Sequence, residues 1–130
     1  MFDDLEILNL SQSVARHAAL RQNVIAQNVA NADTPGYRTR DVKPFSEIYA
    51  ESSAVTGGSM RQTRPGHLGR ANEVSVRAAE ATTQDVAPDG NSVSTEDEML
   101  KSIEVRRQYD LSLTVYKTSL GILRASIGKG

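Results

Sequence analysis

The chain has 130 residues and a formal net charge of -1, and it contains no cysteine. This length allows one domain at most, and the near balance of charges gives no reason to expect a nucleic acid or an anionic membrane surface as a partner. The missing thiols exclude disulfides, thiolate metal ligands and cysteine nucleophiles.

The first predicted element is a long amphipathic helix from Leu5 to about Asn31. This stretch holds neither proline nor glycine, and apolar residues recur in it at helical spacing between polar ones. The helix is expected to end by Asp33, because Pro35 disfavours the α conformation at the residue before it. The sequence Thr-Pro-Gly-Tyr at 34–37 places proline and glycine where a type II turn requires them. Residues 1–36 are therefore predicted to form a helix and a Pro-Gly turn.

Residues 37–93 differ in composition from both ends of the chain. They are rich in Gly, Ser, Thr and Arg, hold three of the four prolines and contain few large apolar residues. Such a segment buries too little apolar surface to offset the entropy lost on ordering it. We therefore expect a largely irregular insert that is partly disordered in the free subunit, with short strands near Met60–Thr63 and Glu73–Val76.

A second long helix is predicted over residues 94–130. Thr95 can cap its start, and Glu98, three residues later, can complete a capping box. Glu98 with Lys101, and Glu104 with Arg107, can pair across one turn on the outer face. Beyond the start, residues recur with the three-four alternation of a coiled-coil seam. The seam consists of Met99, Ser102, Arg106, Tyr109, Leu113, Tyr116, Leu120, Leu123 and Ile127.

Two long helices with apolar stripes predict a mainly α fold, in which the helices pack antiparallel as a coiled-coil hairpin joined by the insert. The C-terminal helix has more apolar surface than one partner can cover, which indicates self-association or another partner. A head-to-tail contact that does not close produces a helical filament, although an ordinary hairpin or dimeric coiled coil explains the same periodicity. The apolar residues outside the seam are Leu100, Ile103, Leu111, Val115 and Ile122.

A motif at the end of the first helix carries a family resemblance. Residues 28–37 read Asn-Val-Ala-Asn-Ala-Asp-Thr-Pro-Gly-Tyr. They resemble the signature of the rod and hook proteins of bacterial flagella, in which an Asn-Ile-Ala-Asn-like stretch runs into Thr-Pro-Gly-Tyr. Residues 41–45, 60–68, 90–93 and 120–124 are similar to successive landmarks of the short proximal-rod members. Asparagine side chains can satisfy backbone groups where a helix ends, and the Pro-Gly turn sets the direction in which the chain leaves.

The resemblance implies a non-enzymatic structural subunit of the proximal rod, in the periplasmic part of the flagellar basal body, that is required for flagellum assembly and motility. Such a subunit is exported through the flagellar type III apparatus without a cleaved signal, in keeping with the acidic start Met1–Glu6. The implied partners are copies of itself, other rod proteins, the inner-membrane ring protein, the ring-to-rod adaptor and the export apparatus. No nucleic acid and no direct membrane insertion are expected.

The same resemblance implies roles for two sets of residues. The assembly motif comprises Asn28, Asn31, Thr34, Pro35, Gly36 and Tyr37. Helices from neighbouring subunits would bundle into a tube around the export channel through Ile7, Leu10, Val14, Ile25, Tyr109, Leu113, Tyr116, Leu120, Leu123 and Ile127.

A segment with calcium-loop spacing supports an alternative. Asp85, Asp89, Gly90 and Glu96 fall at positions 1, 5, 6 and 12 of an EF-hand loop that leads into a helix. Ala87 at position 3 offers no side-chain oxygen, so a polar connector is favoured and no metal or other cofactor is expected. If the loop bound calcium, the chain would be a cytoplasmic coiled-coil adaptor; another flagellar rod protein is a further alternative.

No catalytic constellation is recognisable in the sequence. His17 and His67 have no second ligand at metal-binding spacing, and both are expected at the surface or in an interface. No nucleophile elbow surrounds any serine. Four arginines between residues 61 and 77 make the middle locally basic, but few aromatic residues lie among them, so a solvated or subunit-facing surface is favoured over nucleic-acid binding.

Overall fold

The computed structural model describes residues 2–55, 78–80 and 86–128, and this part of the chain is mainly helical, as predicted. In chain order the elements are α1 (Phe2–Ala30), β1 (Arg40–Val42), α2 (Phe45–Val55), β2 (Ala78–Glu80) and α3 (Thr95–Ile127). The two long helices pack against each other. They run antiparallel, since Gln22 contacts Ser102 near one end of the pair while Leu10 and Leu111 line one groove near the other.

The end of α1 has the turn that the sequence predicts. The amide of Asn31 closes the last helical turn on the carbonyl oxygen of Gln27 at 3.2 Å. The chain then reverses at Gly36, whose φ of 73° is the left-handed value that position i+2 of a type II turn requires. The amide of Tyr37 donates to the carbonyl oxygen of Thr34 at 3.2 Å and closes this turn.

The start of α3 differs from the predicted cap. Ser94, rather than Thr95, is the N-cap residue, and its hydroxyl accepts a hydrogen bond from the amide of Asp97 at 3.3 Å. Both residues are good caps, so the sequence alone does not distinguish them. Because the cap lies one residue earlier, Glu98 is not part of a capping box; its side chain is buried against α1.

The face of α3 that contacts α1 also differs from the predicted seam in its first half. Glu98, Val105 and Ser112 are buried and recur every seven residues. Met99 and Arg106, which were predicted to lie in the seam, are exposed. The contact face therefore lies one residue before the predicted seam. The position of α1 determines which face is buried, and the spacing of apolar residues alone does not.

The two predicted ion pairs along α3 are present. Lys101 Nζ lies 2.7 Å from Glu98 Oε1, and Arg107 NH2 lies 2.9 Å from Glu104 Oε1. The second pair is on the exposed surface, as expected. The first lies beside α1, since the Glu98 side chain is only 1% exposed.

The sequence analysis missed a small unit on the other side of α1. β1 pairs antiparallel with β2, with Val42 opposite Ala78, and α2 begins just after Pro44. Ile48 of α2 packs with Val42 and Val24 in one apolar cluster, while a second cluster joins α1 to α3. The prediction that the insert is largely irregular is therefore wrong for α2, which gains stability by packing on α1 that its own composition does not show. The second cluster consists of Ala18, Ile25 and Val105.

His17 is buried, and its predicted place at the surface or in an interface is wrong. Its Nε2 lies 2.8 Å from the carbonyl oxygen of Lys43, and its ring meets that of Phe45 edge to face at 5.6 Å between centroids. Through this hydrogen bond and ring contact, the histidine holds the start of α2 against α1.

Several predictions fall on other parts of the chain. The strands expected at Met60–Thr63 and Glu73–Val76, His67 and the arginines between 61 and 77 lie outside the described residues. Within the described ranges, no helix combines the length and the hydropathy needed to cross a membrane.

Candidate assembly site

Asn28 is the centre of a buried polar cluster where α1 meets the turn. Its Nδ2 donates to the carbonyl oxygen of Arg40 at 2.7 Å and to Glu98 Oε2 at 3.0 Å. Its Oδ1 accepts from the amide of Arg40 at 3.1 Å and from Tyr37 Oη at 3.3 Å. Both donors and both acceptor sites of the amide are used. One fully buried side chain thus ties α1, β1 and α3 together.

Glu98 brings a carboxyl group into this cluster. It accepts from Asn28 at 3.0 Å and from Lys101 at 2.7 Å, and the Lys101 side chain is 30% exposed. A buried carboxylate without partners is strongly unfavourable, and removing one member of a buried pair costs about 3–5 kcal/mol. Loss of either partner of Glu98 is therefore expected to be costly.

Asn91 binds the turn that follows α1 from a distant part of the chain. Its Nδ2 lies 3.0 Å from the carbonyl oxygen of Asn31 and 2.8 Å from those of Ala32 and Thr34. Its Oδ1 accepts from the amide of Val93 at 2.7 Å. These carbonyl groups belong to the turn that follows α1, and the carbonyl groups of Asn31 and Thr34 also accept from backbone amides of that turn. The residues just before α3 thus hold the turn that follows α1.

Further hydrogen bonds join residues 89–92 to residues 36–39. The amide of Ser92 donates to the carbonyl oxygen of Tyr37 at 3.0 Å, and Ser92 Oγ accepts from the amide of Thr39 at 2.8 Å. The amide of Gly36 donates to the carbonyl oxygen of Asp89 at 3.0 Å. Gly90 has a φ of 85°, and a Cβ there would lie 3.4 Å from the Cα of Gly36, so the two turns touch at their glycines.

An ion pair fixes β1 to the middle of α1. Arg21 Nε and NH2 each donate to one carboxylate oxygen of Asp41 at 2.8 Å, with side-chain exposures of 18% and 23%. Burial alone raises the pKa of Asp41, but hydrogen bonds from Arg21 and from the amide of Val42 outweigh it, so the pKa lies below its usual 3.8. The hydrogen bond to Asp41 raises the pKa of Arg21 further above its usual value.

The structure divides the predicted assembly motif into two parts. Asn28 and Tyr37 belong to the buried cluster described above. Asn31 lies nearer the surface, where its Nδ2 donates to the carbonyl oxygen of Gln27 and its Oδ1 accepts from Thr34 Oγ1. Thr34, Pro35 and Gly36 form the exposed tip of the turn. The tip is therefore open to solvent while the residues that hold it are not.

The predicted helix-packing residues of α1 also occupy two environments. Ile25 is buried between α1 and α3. Ile7, Leu10 and Val14 line an open apolar groove of about 240 Å³, whose other wall includes Leu111 and Val115 of α3. The first residue holds the helix pair together, and the other three face a groove that the described residues leave unfilled.

The predicted residues of α3 are only partly covered. Leu113, Leu120 and Leu123 are half-buried, whereas Tyr109, Tyr116 and Ile127 are exposed. The apolar residues expected outside the seam are exposed as well, with Leu100, Ile103 and Leu111 each about two-thirds accessible. Exposed apolar residues therefore form a stripe along α3, which Val115 and Ile122 continue, and Leu111 and Val115 of this stripe also border the groove beside α1.

Sequence reasoning missed the residues that hold the turn. Glu98, Val105 and Ser112 recur every seven residues, and this spacing was a signal for the buried face. Glu98 also suited a capping box, however. Asn91 was noted only as part of the family landmark at residues 90–93, and its contact with the turn after α1 was not predicted. Nothing in the sequence links Arg21 with Asp41, since the contact depends on the path of the chain after α1.

The segment with calcium-loop spacing contains a local turn. Asp89 Oδ1 accepts from the amide of Asn91 at 3.0 Å, and the amide of Gly90 donates to the carbonyl oxygen of Ala87 at 2.8 Å. Asp85 lies outside the described residues. Across the described ranges, no group of three or more His, Cys, Asp or Glu residues is placed to hold a metal ion. The polar composition of this turn is explained by its hydrogen bonds to the turn that follows α1.

Comparison with known sequences relates this architecture to the base of the bacterial flagellum. A sequence model of flagella basal body rod proteins matches residues 8–38, which include most of α1 and the Pro-Gly turn. The flagellar basal body rod protein FlgB of Agrobacterium fabrum is 34% identical over 118 residues, which are 88% of this chain and 87% of that protein.

Two further relatives carry the same description. FlgB of Salmonella typhimurium is 32% identical over 127 residues, 92% of each chain, and FlgB of Escherichia coli is 32% identical over 124 residues, 88% of each chain. The chain belongs to the FlgB family of flagellar basal body rod proteins. The resemblance predicted from residues 28–37 is thereby confirmed.

Proposed function

We propose that the chain is a structural, non-catalytic subunit of the proximal rod, in which its terminal helices pack with those of neighbouring subunits into a helical tube around the export channel. One observation carries the proposal. The polar end of the helix pair is satisfied internally, while the apolar stripe on α3 and the groove beside α1 have no cover within the described chain.

The distribution of apolar surface supports assembly over an isolated existence. Leu100, Ile103, Leu111 and Ile122 are each more than half exposed, and they follow one side of a single long helix. A contiguous apolar surface of this kind marks a site of interaction with protein or membrane. Since the family is one of rod proteins, helices of neighbouring subunits are the natural partners.

The wider setting belongs to the same proposal. The subunit would be exported without a cleaved signal peptide through the flagellar export apparatus and incorporated in the periplasmic rod. It would contact other rod proteins, the inner-membrane ring protein and the adaptor that joins ring to rod. Its presence would be required for flagellum assembly and for motility.

Complementation of a deletion strain tests this function. Loss of the gene should abolish swimming and flagella, and the natural chain should restore both. The double variant Leu111→Lys with Ile122→Lys should fail, because it places charge on the exposed stripe. Gln27→Lys adds the same charge at an exposed polar position of α1 and should restore swimming. Normal flagella in the deletion strain would contradict the proposal.

A further inference from the structure

The exposed tip of the turn after α1, residues 34–36, is held by residues that are distant in sequence. The amide of Gly36 donates to the carbonyl oxygen of Asp89 at 3.0 Å, and the carbonyl oxygen of Tyr37 accepts from the amide of Ser92 at 3.0 Å. The hydrogen bond that closes the turn itself, from the amide of Tyr37, is longer at 3.2 Å. Direct backbone hydrogen bonds thus join the tip to the residues just before α3.

A second path joins the turn to α3 through a buried side chain. Tyr37 Oη donates to Asn28 Oδ1 at 3.3 Å, and Asn28 Nδ2 donates in turn to Glu98 Oε2 at 3.0 Å. Both Asn28 and Glu98 are fully buried, and Glu98 belongs to the first turn of α3. The residue that follows the tip is therefore linked to the start of α3 through one buried amide group.

The residues that hold the tip cannot stay in place when α3 leaves α1. Ser92 precedes Thr95, the first residue of α3, by three positions, and three residues of chain span at most about 11 Å. The Nδ2 atom of Asn91 lies 2.8–3.0 Å from three carbonyl oxygens of the turn after α1, and such hydrogen bonds weaken steeply with distance and angle. Separation of α3 beyond this reach would draw Asn91 and Ser92 away from the turn.

We infer that the conformation of the tip is coupled to the docking of α3 on α1, so that the tip is ordered only in a chain whose two long helices are paired. The coupling acts in both directions, because a coupling free energy between two parts of a protein is reciprocal. Its role in assembly rests on the proposed function. A subunit would present an ordered tip to its neighbours only after its own helix pair has closed.

The alternative is a tip that local sequence alone keeps in shape. Pro35 and Gly36 favour a type II turn without any contribution from α3. The structure nevertheless places a second turn against the first, because a Cβ added to Gly90 would lie 3.4 Å from the Cα of Gly36. Local preference therefore selects the type of turn, and contact with residues 89–92 holds it. Segments with few such contacts open at low cost in free energy.

Hydrogen exchange of the full chain tests this coupling from a position outside the turn. Val105→Ala weakens the buried cluster between α1 and α3, about 15 Å along α3 from Thr95. The amides of Gly36 and Tyr37 should exchange at least about tenfold faster in this variant. Ile48→Ala is the control, because it weakens the separate cluster that joins α2 and β1 to α1, and it should change the same rates by less than about twofold. Circular dichroism checks that both variants remain helical.

A change in the tip should also be detected in α3. Gly36→Val opposes the φ of 73° at the tip. The amide of Glu98, which donates to the carbonyl oxygen of Ser94 at 3.0 Å, should then exchange at least about threefold faster. Asp33→Ala changes an exposed side chain of the same turn and should leave this rate unchanged. An unchanged Glu98 rate in Gly36→Val would contradict the coupling.

Three other outcomes of the exchange experiment overturn the inference. Tip amides that exchange in the natural chain as fast as in an unstructured peptide would show that helix pairing does not order the tip. Rates unaffected by Val105→Ala would show that local sequence is sufficient. Equal acceleration by Ile48→Ala would show that the tip follows the whole fold. None of these results bears on membership of the rod, which complementation of the deletion strain decides, so the coupling and the proposed function can fail separately.

Discussion

The two ends of the α1–α3 pair differ in whether their side chains find partners within the described chain. At the turn, the side-chain amides of Asn28 and Asn91 form hydrogen bonds within the chain, and Glu98 is paired there as well. Away from the turn, the groove lined by Leu10 and Leu111 and the stripe of α3 that includes Ile122 expose apolar surface. The first region requires no other molecule. In the second, the described residues leave the apolar surface uncovered.

Under the proposed function, the first region stabilises the fold of the subunit and the second takes part in its assembly. Substitutions at the turn should alter the stability of a single chain, because hydrogen bonds are lost inside it. Substitutions on the outer side of α3 should leave the single chain intact and affect contacts between chains. The following predictions run from the largest expected change in stability to the smallest.

Asn28→Ala should cause the largest loss of stability. It removes four hydrogen bonds and leaves the Arg40 backbone and Glu98 without a buried partner. The expected loss is about 3–5 kcal/mol in the free energy of unfolding, measured by urea denaturation with circular dichroism. Asn31→Ala, at a more exposed site of the same motif, should lose only about 1 kcal/mol. Equal losses would contradict the central role of Asn28.

Asn91→Ala should lower the free energy of unfolding by about 2 kcal/mol, because three carbonyl groups in the turn after α1 each lose a hydrogen bond from this side chain. Hydrogen exchange should show faster opening of residues 31–37 than of the middle of α1. Asn23→Ala, at an exposed position of α1, serves as the control and should change stability by less than about 0.5 kcal/mol.

Gly36→Val tests the turn through backbone conformation alone. A Cβ at Gly36 meets no atom within 4 Å, so the cost of about 1–3 kcal/mol would come from the φ of 73°. Gly121→Ala is the matched control, since a Cβ there also meets nothing, and it should stabilise α3 by up to about 1 kcal/mol. A harmless Gly36→Val would show that the turn is free to change conformation.

The Arg21–Asp41 pair makes a smaller, pH-dependent contribution. Because the folded pKa of Asp41 lies below its usual 3.8, the stabilisation is present above that pH and is lost as the pH falls through the folded pKa. Asp41→Asn should lose about 1 kcal/mol at pH 7 and show a flatter decline of stability below pH 4. Parallel stability curves for the two chains at acid pH would contradict this assignment.

Ile122→Lys should have the smallest effect on the single chain and a large effect on assembly. The side chain is more than half exposed, so the free energy of unfolding should change by less than about 0.5 kcal/mol. Incorporation into rods should fail, because a charge would enter an apolar contact. A stability loss as large as that of Asn28→Ala would show that this surface is part of the fold.

The sequence predicted the features that depend on local chemistry. Helical spacing identified both long helices, and the turn at 34–37 followed from the requirements of proline and glycine. Spacing along α3 also predicted the ion pairs and the apolar residues, such as Leu111, that lie outside the seam. Each of these rests on residues within about one turn of each other or on one continuous face.

The features it missed depend on contacts between distant parts of the chain. α2 was missed because its stability depends on α1, which covers Ile48. The burial of Glu98 was missed because a carboxylate three residues after Thr95 also suits a capping box, and Ser94 took that capping role instead. Asn91 and the Arg21–Asp41 pair act across the insert, whose path no local pattern specifies.

The central claim is that the chain is a structural component of the rod, and the most direct test is to look for it there. Hook–basal bodies should be extracted with detergent from the source cells and analysed by quantitative mass spectrometry beside the cytoplasmic fraction. The account predicts several copies in each basal body, and their loss from particles of cells that carry Ile122→Lys. Absence of the natural chain from the particles, with recovery in the cytoplasm, would contradict it.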